Sequence, residues 1–387
     1  MKEARSDKKV LKRNRALRLV VLLVVLGFTA TIGVLHQHVS GTVPVGVDAL
    51  CPFGAIESVW QLISSGSLLQ RIAVSTFILF GATTVVALIF RRSFCGYICP
   101  LGTLQELAAR LGRRLFRKRL TVPRAIDRPL RYLKYLVLVA VAVLSAVLAT
   151  LVIRPVDPWA AFQHLSAADI FTEFLGGFIV LVASLVLSLF FDRIFCKYVC
   201  PMGAFLGVVS KVGLFKVRRN RETCIDCMAC DKACPVNIPV QSLDKVSTAE
   251  CLSCGECVNA CPVQNTLFFE GPKKKRLAPP LMIGLTLAIF GLVVGSTTLT
   301  GSFKWTVQSV EERARQTGAF NPDDITGRST FREVADLSGV PKTAFIERFG
   351  ISNDDFEAPI RDAAHREGSG FDTEDVRAFV KERLAGK

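Results

Sequence analysis

Five stretches carry no internal charge: Leu19–Leu35, Ile72–Phe90, Leu136–Ile153, Phe174–Phe191 and Leu281–Leu299. Each has 17 to 19 residues, near the roughly 20 that a helix needs to cross a bilayer core. One such run could be a buried core helix. Five, each with charged flanks, predict a chain that crosses a membrane repeatedly. Between them the pattern changes. Residues 103–119 set Leu104, Leu107, Leu111 and Leu115 at helical spacing against Arg110, Arg113, Arg114 and Arg117, as expected of a helix lying on a membrane surface. Beyond Gly301 the pattern is that of a small helical domain. Thr330 with Glu333 forms a capping box, Gly339 and Gly350 are stops, and Ser352 and Asp372 are starts.

Charge adds an orientation. The net charge is +15. Lys and Arg number eight in 1–18, none in 36–69, twelve in 91–135, one in 154–173 and thirteen in 192–278. Loops on the cytoplasmic side carry the excess of basic residues. The N-terminus and the segments after the second and fourth spans are therefore expected inside, and the C-terminus outside. The basic balance then reports topology rather than nucleic-acid binding. The stretch 330–351 has a helix-turn-helix outline. However, its domain 301–387 has 13 basic and 16 acidic residues, and no nucleic-acid partner is expected. Leu35-His36-Gln37-His38 is not a cleavage pattern, so the first span is read as an anchor.

The cysteines add chemistry. All thirteen fall in 51–261. Cys224-x2-Cys227-x2-Cys230-x3-Cys234-Pro235 is followed by Cys251-x2-Cys254-x2-Cys257-x3-Cys261-Pro262. This is the two-cluster ferredoxin run, in which the fourth cysteine of each run ligates the other cluster. The spacing assigns Cys224, Cys227, Cys230 and Cys261 to one [4Fe–4S] cluster and Cys251, Cys254, Cys257 and Cys234 to a second. Zinc prefers paired C-x2-C knuckles.

A second cysteine pattern is duplicated. Arg92, Phe94, Cys95, Tyr97, Cys99, Pro100 and Gly102 recur as Arg193, Phe195, Cys196, Tyr198, Cys200, Pro201 and Gly203, at a constant offset of 101. Each copy follows an apolar run, so a parallel two-helix repeat is expected. Cys95, Cys99, Cys196 and Cys200 are candidates for a third iron–sulfur cluster. A structural Zn(Cys)₄ site and reversible dithiol chemistry stay open. Cys51, His36 and His38 form a candidate outer-face site. Cys51-Pro52-Phe53-Gly54-Ala55 is weakly echoed by Asp157-Pro158-Trp159-Ala160-Ala161. There is no C-x-x-C-H, so c-type haem is not expected. Phe80-Gly81-Ala82-Thr83-Thr84 faintly suggests flavin attachment, but it lies inside an apolar run and is read as ordinary helix.

The resulting fold class is a polytopic α-helical membrane protein. It has a basic tail (1–18), two membrane repeats (19–135 and 136–216), an inserted two-cluster ferredoxin α+β module (217–270), a fifth span (281–299) and a helical C-terminal domain (301–387). Two C-x3-C-P motifs followed by a two-cluster ferredoxin module resemble the NapH/NosR group of membrane-bound iron–sulfur proteins over residues 17–270. That resemblance implies electron transfer between the quinone pool and extracytoplasmic reductases. The fifth span and outer tail also resemble the FixG/CcoG proteins of copper-oxidase assembly, although their outer domain is expected to be a β-sandwich. The expected function is electron relay in the inner membrane. The termini of the relay are quinone or a cytoplasmic-side donor and an outer or membrane redox partner protein, with lipid around the spans; a quinol dehydrogenase subunit is one form of this. The alternatives are a copper reductase or assembly factor with Cys51 near the metal, and a redox sensor or scaffold.

Overall fold

The computed structural model describes residues 7–38, 43–44, 52–65, 74–117, 120–148, 152–166, 168–171, 173–303, 305–307, 309–364, 366 and 370–385. The chain forms two units, Met1–His38 with Val45–Trp305, and Val39–Pro44 with Thr306–Lys387.

In the first unit the helices run in order α1 (Lys8–His38), α2 (Gly54–Ser65), α3 (Val74–Phe90), α4 (Ser93–Tyr97), α5 (Pro100–Phe116) and α6 (Arg124–Leu148). They continue as α7 (Pro158–Gln163), α8 (Leu175–Phe190), α9 (Ile194–Tyr198), α10 (Pro201–Val209), α11 (Ala229–Ala233), α12 (Glu256–Ala260) and α13 (Pro279–Leu299). Among the described residues three stretches are long and apolar enough to cross a membrane: Lys8–Gln37, Ala125–Leu148 and Pro279–Leu299. Val74–Phe90 and Leu175–Phe190 are shorter apolar helices. The five charge-free runs thus fall on α1, α3, α6, α8 and α13, and the faint flavin-like pentapeptide is interior helix of α3.

Two expectations about 1–119 need adjusting. The basic N-terminal stretch is not all tail: α1 begins at Lys8, and Arg18 is fully buried. Its guanidinium finds two carboxylates, Glu106 at 2.6 Å and Glu256 at 2.8 Å, so a charge that would otherwise stay in water is paired. Helix α5 is also more than a surface helix. Leu111 and Leu115 are exposed, but Gln105, Glu106, Ala109 and Gly112 are buried. That face packs on the end of α8, where Phe116 stacks on Phe190.

A four-stranded antiparallel sheet lies between α10 and α13. Its order is Lys245–Val246, Lys216–Arg219, Leu267–Glu270, Arg276–Leu277. Alternation puts Val217 and Phe269, a register pair, on the buried face. They join Val236, Ile238, Val240 and Leu252 in one core that continues into the helices through Phe90, Phe94 and Tyr97.

The second unit is helical apart from Val43–Pro44 paired with Thr306–Val307. Its helices are α14 (Val310–Thr317), α15 (Phe331–Ser338), α16 (Lys342–Phe349), α17 (Asn353–Glu357), α18 (Ile360–Ala364) and α19 (Thr373–Ala385). Thr330 and Glu333 form the expected capping box, Gly339 and Gly350 end helices in the left-handed conformation, and Ser352 caps α17. The core is a phenylalanine cluster in which Phe331 and Phe345, and Phe345 and Phe379, meet edge to face.

Candidate functional site

Two cavities occupy the segment 216–270. The first is lined by Cys234, Cys251, Cys254 and Cys257. The second is lined by Cys224, Cys227, Cys230 and Cys261. The fourth cysteine of each run therefore lines the cavity of the other run. Local backbone chemistry explains the crossing. In each C-x2-C-x2-C loop two residues take positive φ, Asp226 (51°) and Met228 (56°) in one, Ser253 (50°) and Gly255 (74°) in the other. These turn the loop around its cavity. A single helical turn, α11 or α12, then carries the chain across. Cys234 and Cys261 end those turns in extended conformation (ψ 115° and 121°), as Pro235 and Pro262 require of the residues before them.

The cavities differ in exposure. All four cysteines of the first are buried, whereas in the second Cys227 is exposed and Cys224 half-buried. Ile225 and Met228 beside Cys227 are exposed too. Among hydrogen bonds to sulfur, the Ile238 amide donates to Cys234 Sγ (3.4 Å) and Arg219 Nη1 to Cys224 Sγ (3.5 Å). Burial pushes the Cys254 thiol up to about 12, and burial with the Asp231 carboxylate does the same to Cys230. A metal must displace those protons to bind. The donor set suits iron–sulfur chemistry: four sulfurs around an apolar cavity, with amide and guanidinium donors at the sulfur. Among the described residues no three His, Cys, Asp or Glu side chains converge on a point as a single bound ion would need.

The first cavity is pressed against the Cys95 turn. A Cβ added to Gly96 would lie 2.7 Å from the Leu252 carbonyl oxygen and 3.4 Å from the Cys254 Cα. The buried Tyr97 hydroxyl donates to the Ser253 carbonyl at 2.7 Å. Arg91 donates to the Val246, Ser247 and Thr248 carbonyls. Arg92 meets Glu250 at 3.4 Å, and Lys134 meets the other oxygen of that carboxylate. The loop leading into Cys251 is thus held by four side chains from α4, α6 and the turn before α4.

The two C-x3-C-P turns have matching geometry. The amides of Ile98 and Cys99 both donate to the Phe94 carbonyl, and those of Val199 and Cys200 to that of Phe195. Cys99 (φ −61°, ψ 115°) and Cys200 (φ −59°, ψ 113°) are extended before their prolines and cap α5 and α10. The structure sets the two turns side by side, with Arg193 Nη1 donating to the Cys95 carbonyl at 2.6 Å. Burial raises the thiols of Cys99, Cys196 and Cys200; cysteines of both turns add to the rise at Cys99 and Cys200, whereas at Cys196 the Arg193 and Arg92 guanidiniums oppose burial and Cys95 adds to it. Gln105 Nε2 donates to Cys196 Sγ (3.2 Å), and the Gly203 amide to Cys200 Sγ (3.3 Å).

Cys51 and the His38 side chain lie outside the described residues, and His36 is half-buried on α1. Asp157, at the position echoing Cys51, caps α7 by accepting from the Trp159 amide (3.0 Å). The buried His164 meets Gln37 Nε2 through Nδ1 (3.1 Å) and stacks on Phe174.

Comparisons with known proteins agree with this chemistry. A family model described as a 4Fe-4S binding domain matches twice, at residues 72–119 and 174–221. One described as a 4Fe-4S dicluster domain matches 216–269. YccM of Escherichia coli (strain K12), whose name assigns it provisionally to electron transport, is 35% identical over 267 residues, 67% of this chain and 74% of its own length. The chain belongs to the NapH/NosR-type polyferredoxin family. The ferredoxin-type protein NapH of E. coli (strain K12) is 30% identical over 178 residues, 45% of this chain and 58% of NapH. The regulatory protein NosR of Pseudomonas aeruginosa is 32% identical over 187 residues, 46% of this chain but only 24% of NosR. No solved structure matches. This polyferredoxin is a multi-pass membrane iron–sulfur electron-transfer protein.

Several of the residues that build the site were not singled out from sequence. Arg18, Tyr97, Gln105, Glu106 and Glu250 act across separations of about 70 residues or more. Only Arg92, Arg193 and Tyr97 left a trace, as recurring members of the two C-x3-C-P motifs.

Proposed function

We propose that this polyferredoxin relays single electrons through three centres in series. Cys224, Cys227, Cys230 and Cys261 hold one [4Fe–4S] cluster. Cys234, Cys251, Cys254 and Cys257 hold a second. Cys95, Cys99, Cys196 and Cys200 together hold a third iron–sulfur centre, shared between two copies of a membrane repeat. Such clusters supply one-electron redox chemistry, and the protein sets their potentials by burial and by hydrogen bonds to sulfur. The observation that carries the reading is the contact of Gly96 and Tyr97 with Leu252, Ser253 and Cys254. It brings the buried cavity of the module against the turn that bears Cys95.

The order of the relay follows from exposure. The half-exposed Cys224/Cys227 end meets a redox partner protein in water, the fully buried Cys251/Cys254 cavity is the intermediate, and the four-cysteine centre faces the membrane. The alternation of Lys and Arg supports five spans with the N-terminus and ferredoxin module on the cytoplasmic side. The quinone pool is the membrane-side terminus, exchanging electrons one at a time. The residues of this chain hold the cysteines, exclude water from the two inner centres and keep the module docked.

Adding a quinol to the anaerobic oxidised protein in detergent tests the quinone terminus. Bleaching of the iron–sulfur absorbance is expected; an unchanged spectrum overturns that terminus while leaving the relay between the module and its water-side partner.

A further inference from the structure

The arginines of the two C-x3-C-P motifs are exchanged between copies. Arg193 reaches across to the other turn, where its Nη1 donates to the Cys95 carbonyl at 2.6 Å, while its charge also bears on Cys196 of its own turn. A Cβ on Gly102 would lie 3.0 Å from that same nitrogen. Arg92 mirrors this. A Cβ on Gly203 would lie 2.8 Å from Arg92 Nη2 and 3.2 Å from the Cys196 carbonyl oxygen. Gly102 and Gly203 recur because each leaves room for the guanidinium of the other copy.

Both guanidiniums are at most 1% exposed. Each has a carboxylate behind it, Glu106 at 2.7 Å from Arg193 and Glu250 at 3.4 Å from Arg92. Each also keeps a buried Nε without a hydrogen-bond partner. Two buried cations with unused donors beside four cysteines are costly unless something anionic is held there. Four thiolates on an iron–sulfur core with a charge of plus two give a net charge of minus two, and around it the cations outnumber their carboxylates on the Arg92 side, where Arg92 and Lys134 share the single carboxylate of Glu250.

We infer that Arg92 and Arg193 are the counter-charges of the centre held by Cys95, Cys99, Cys196 and Cys200, each reaching the cysteine turn of the other copy as well as its own, and that they hold its reduction potential up. This rests on the shared-centre reading above. Reduction adds a negative charge, so nearby cations favour the reduced state. The arginines are positioning and tuning residues rather than catalytic ones.

The test uses the full chain, reconstituted anaerobically with iron and sulfide. Iron and zinc per chain are measured, and each centre is titrated by EPR. The double variant Cys95→Ser/Cys196→Ser tests the shared centre alone; iron and EPR signals identical to wild type overturn that reading, and zinc in place of iron does the same. The variants Arg92→Gln and Arg193→Gln test the inference. The third signal should be retained with its reduction disfavoured about tenfold, or about 59 mV for a one-electron couple, while the two module signals stay put. Arg92→Lys and Arg193→Lys keep the charge and should restore most of the potential. If the Gln variants lose the third signal, its retention in the Lys variants still supports the charge role. An unmoved potential in the Gln variants, or Lys variants that behave as Gln, overturns it.

Discussion

Tyr97 donates its hydroxyl to the carbonyl of Ser253 at 2.7 Å, one residue before Cys254, and both residues are buried. The bond joins two segments 156 residues apart. Beside it Gly96 lies against Leu252 and Cys254 with no room for a methyl group. The ferredoxin segment is therefore seated on the turn that carries Cys95.

That seat predicts the effect of filling it. Gly96→Ala places a methyl 2.7 Å from a backbone oxygen, so the loop must shift. Overpacking of this kind costs typically about 1–3 kcal/mol. The Cys251/Cys254/Cys257/Cys234 centre should become more labile to oxygen or chelator, with the Cys224/Cys227/Cys230/Cys261 centre unaffected. Following loss of each EPR signal over time checks this; equal lability of the two centres would falsify the seat.

The crossing of the two cysteine runs gives a second expectation. Cys234→Ser, a change in the first run, should perturb the signal of the buried centre. Cys261→Ser, in the second run, should perturb that of the exposed one. Cys227→Ser serves as reference for the exposed centre. If Cys234→Ser instead alters the same signal as Cys227→Ser, each run serves its own cluster and the crossing is wrong.

The buried cluster around Glu106 carries a pH dependence. Burial alone would raise this carboxyl, but the guanidiniums of Arg18 and Arg193 hold it well below the usual carboxylate range. In the unfolded chain it titrates near about 4.3. A depressed folded value means that the carboxylate contributes stability at and above that pH, and that the contribution fades as pH falls below it toward the folded value. Breaking a buried pair from one side typically costs about 3–5 kcal/mol. The gap in Tm between wild type and Glu106→Gln should therefore be large and flat from pH 8 to 5, and narrow below about pH 4. A gap independent of pH down to 3 would show that Glu106 acts by packing alone.

Much of this was legible in the chain. The charge-free runs fall on three long and two shorter apolar helices, because length and hydropathy are local properties. The module cysteines sort into their cavities as the C-x2-C-x2-C-x3-C-P spacing implies, since the proline and the left-handed loop residues act within a few positions. Thr330, Glu333, Gly339 and Gly350 mark helix ends for the same reason. What stayed hidden depends on tertiary contact. Arg18 reads as one basic residue among eight in 1–18, and only the fold brings it to Glu106 and Glu256. Arg92 and Arg193 are visible as a repeat, but their exchange is not, because nothing in a sequence says which copy a side chain reaches. Leu111 and Leu115 drew attention to the apolar stripe of α5, while the face that packs on α8 is marked by Gln105, Glu106 and Gly112.

The central claim is that the ferredoxin module communicates with a third centre at the paired C-x3-C-P cysteines. EPR of the fully reduced protein, compared between wild type and Cys99→Ser/Cys200→Ser, tests it most directly. The relay predicts a third iron–sulfur signal in wild type, magnetically coupled to the buried centre of the module. In the variant the third signal and the coupling disappear while both module clusters remain. Spectra of two clusters only, the same in wild type and variant, would contradict it.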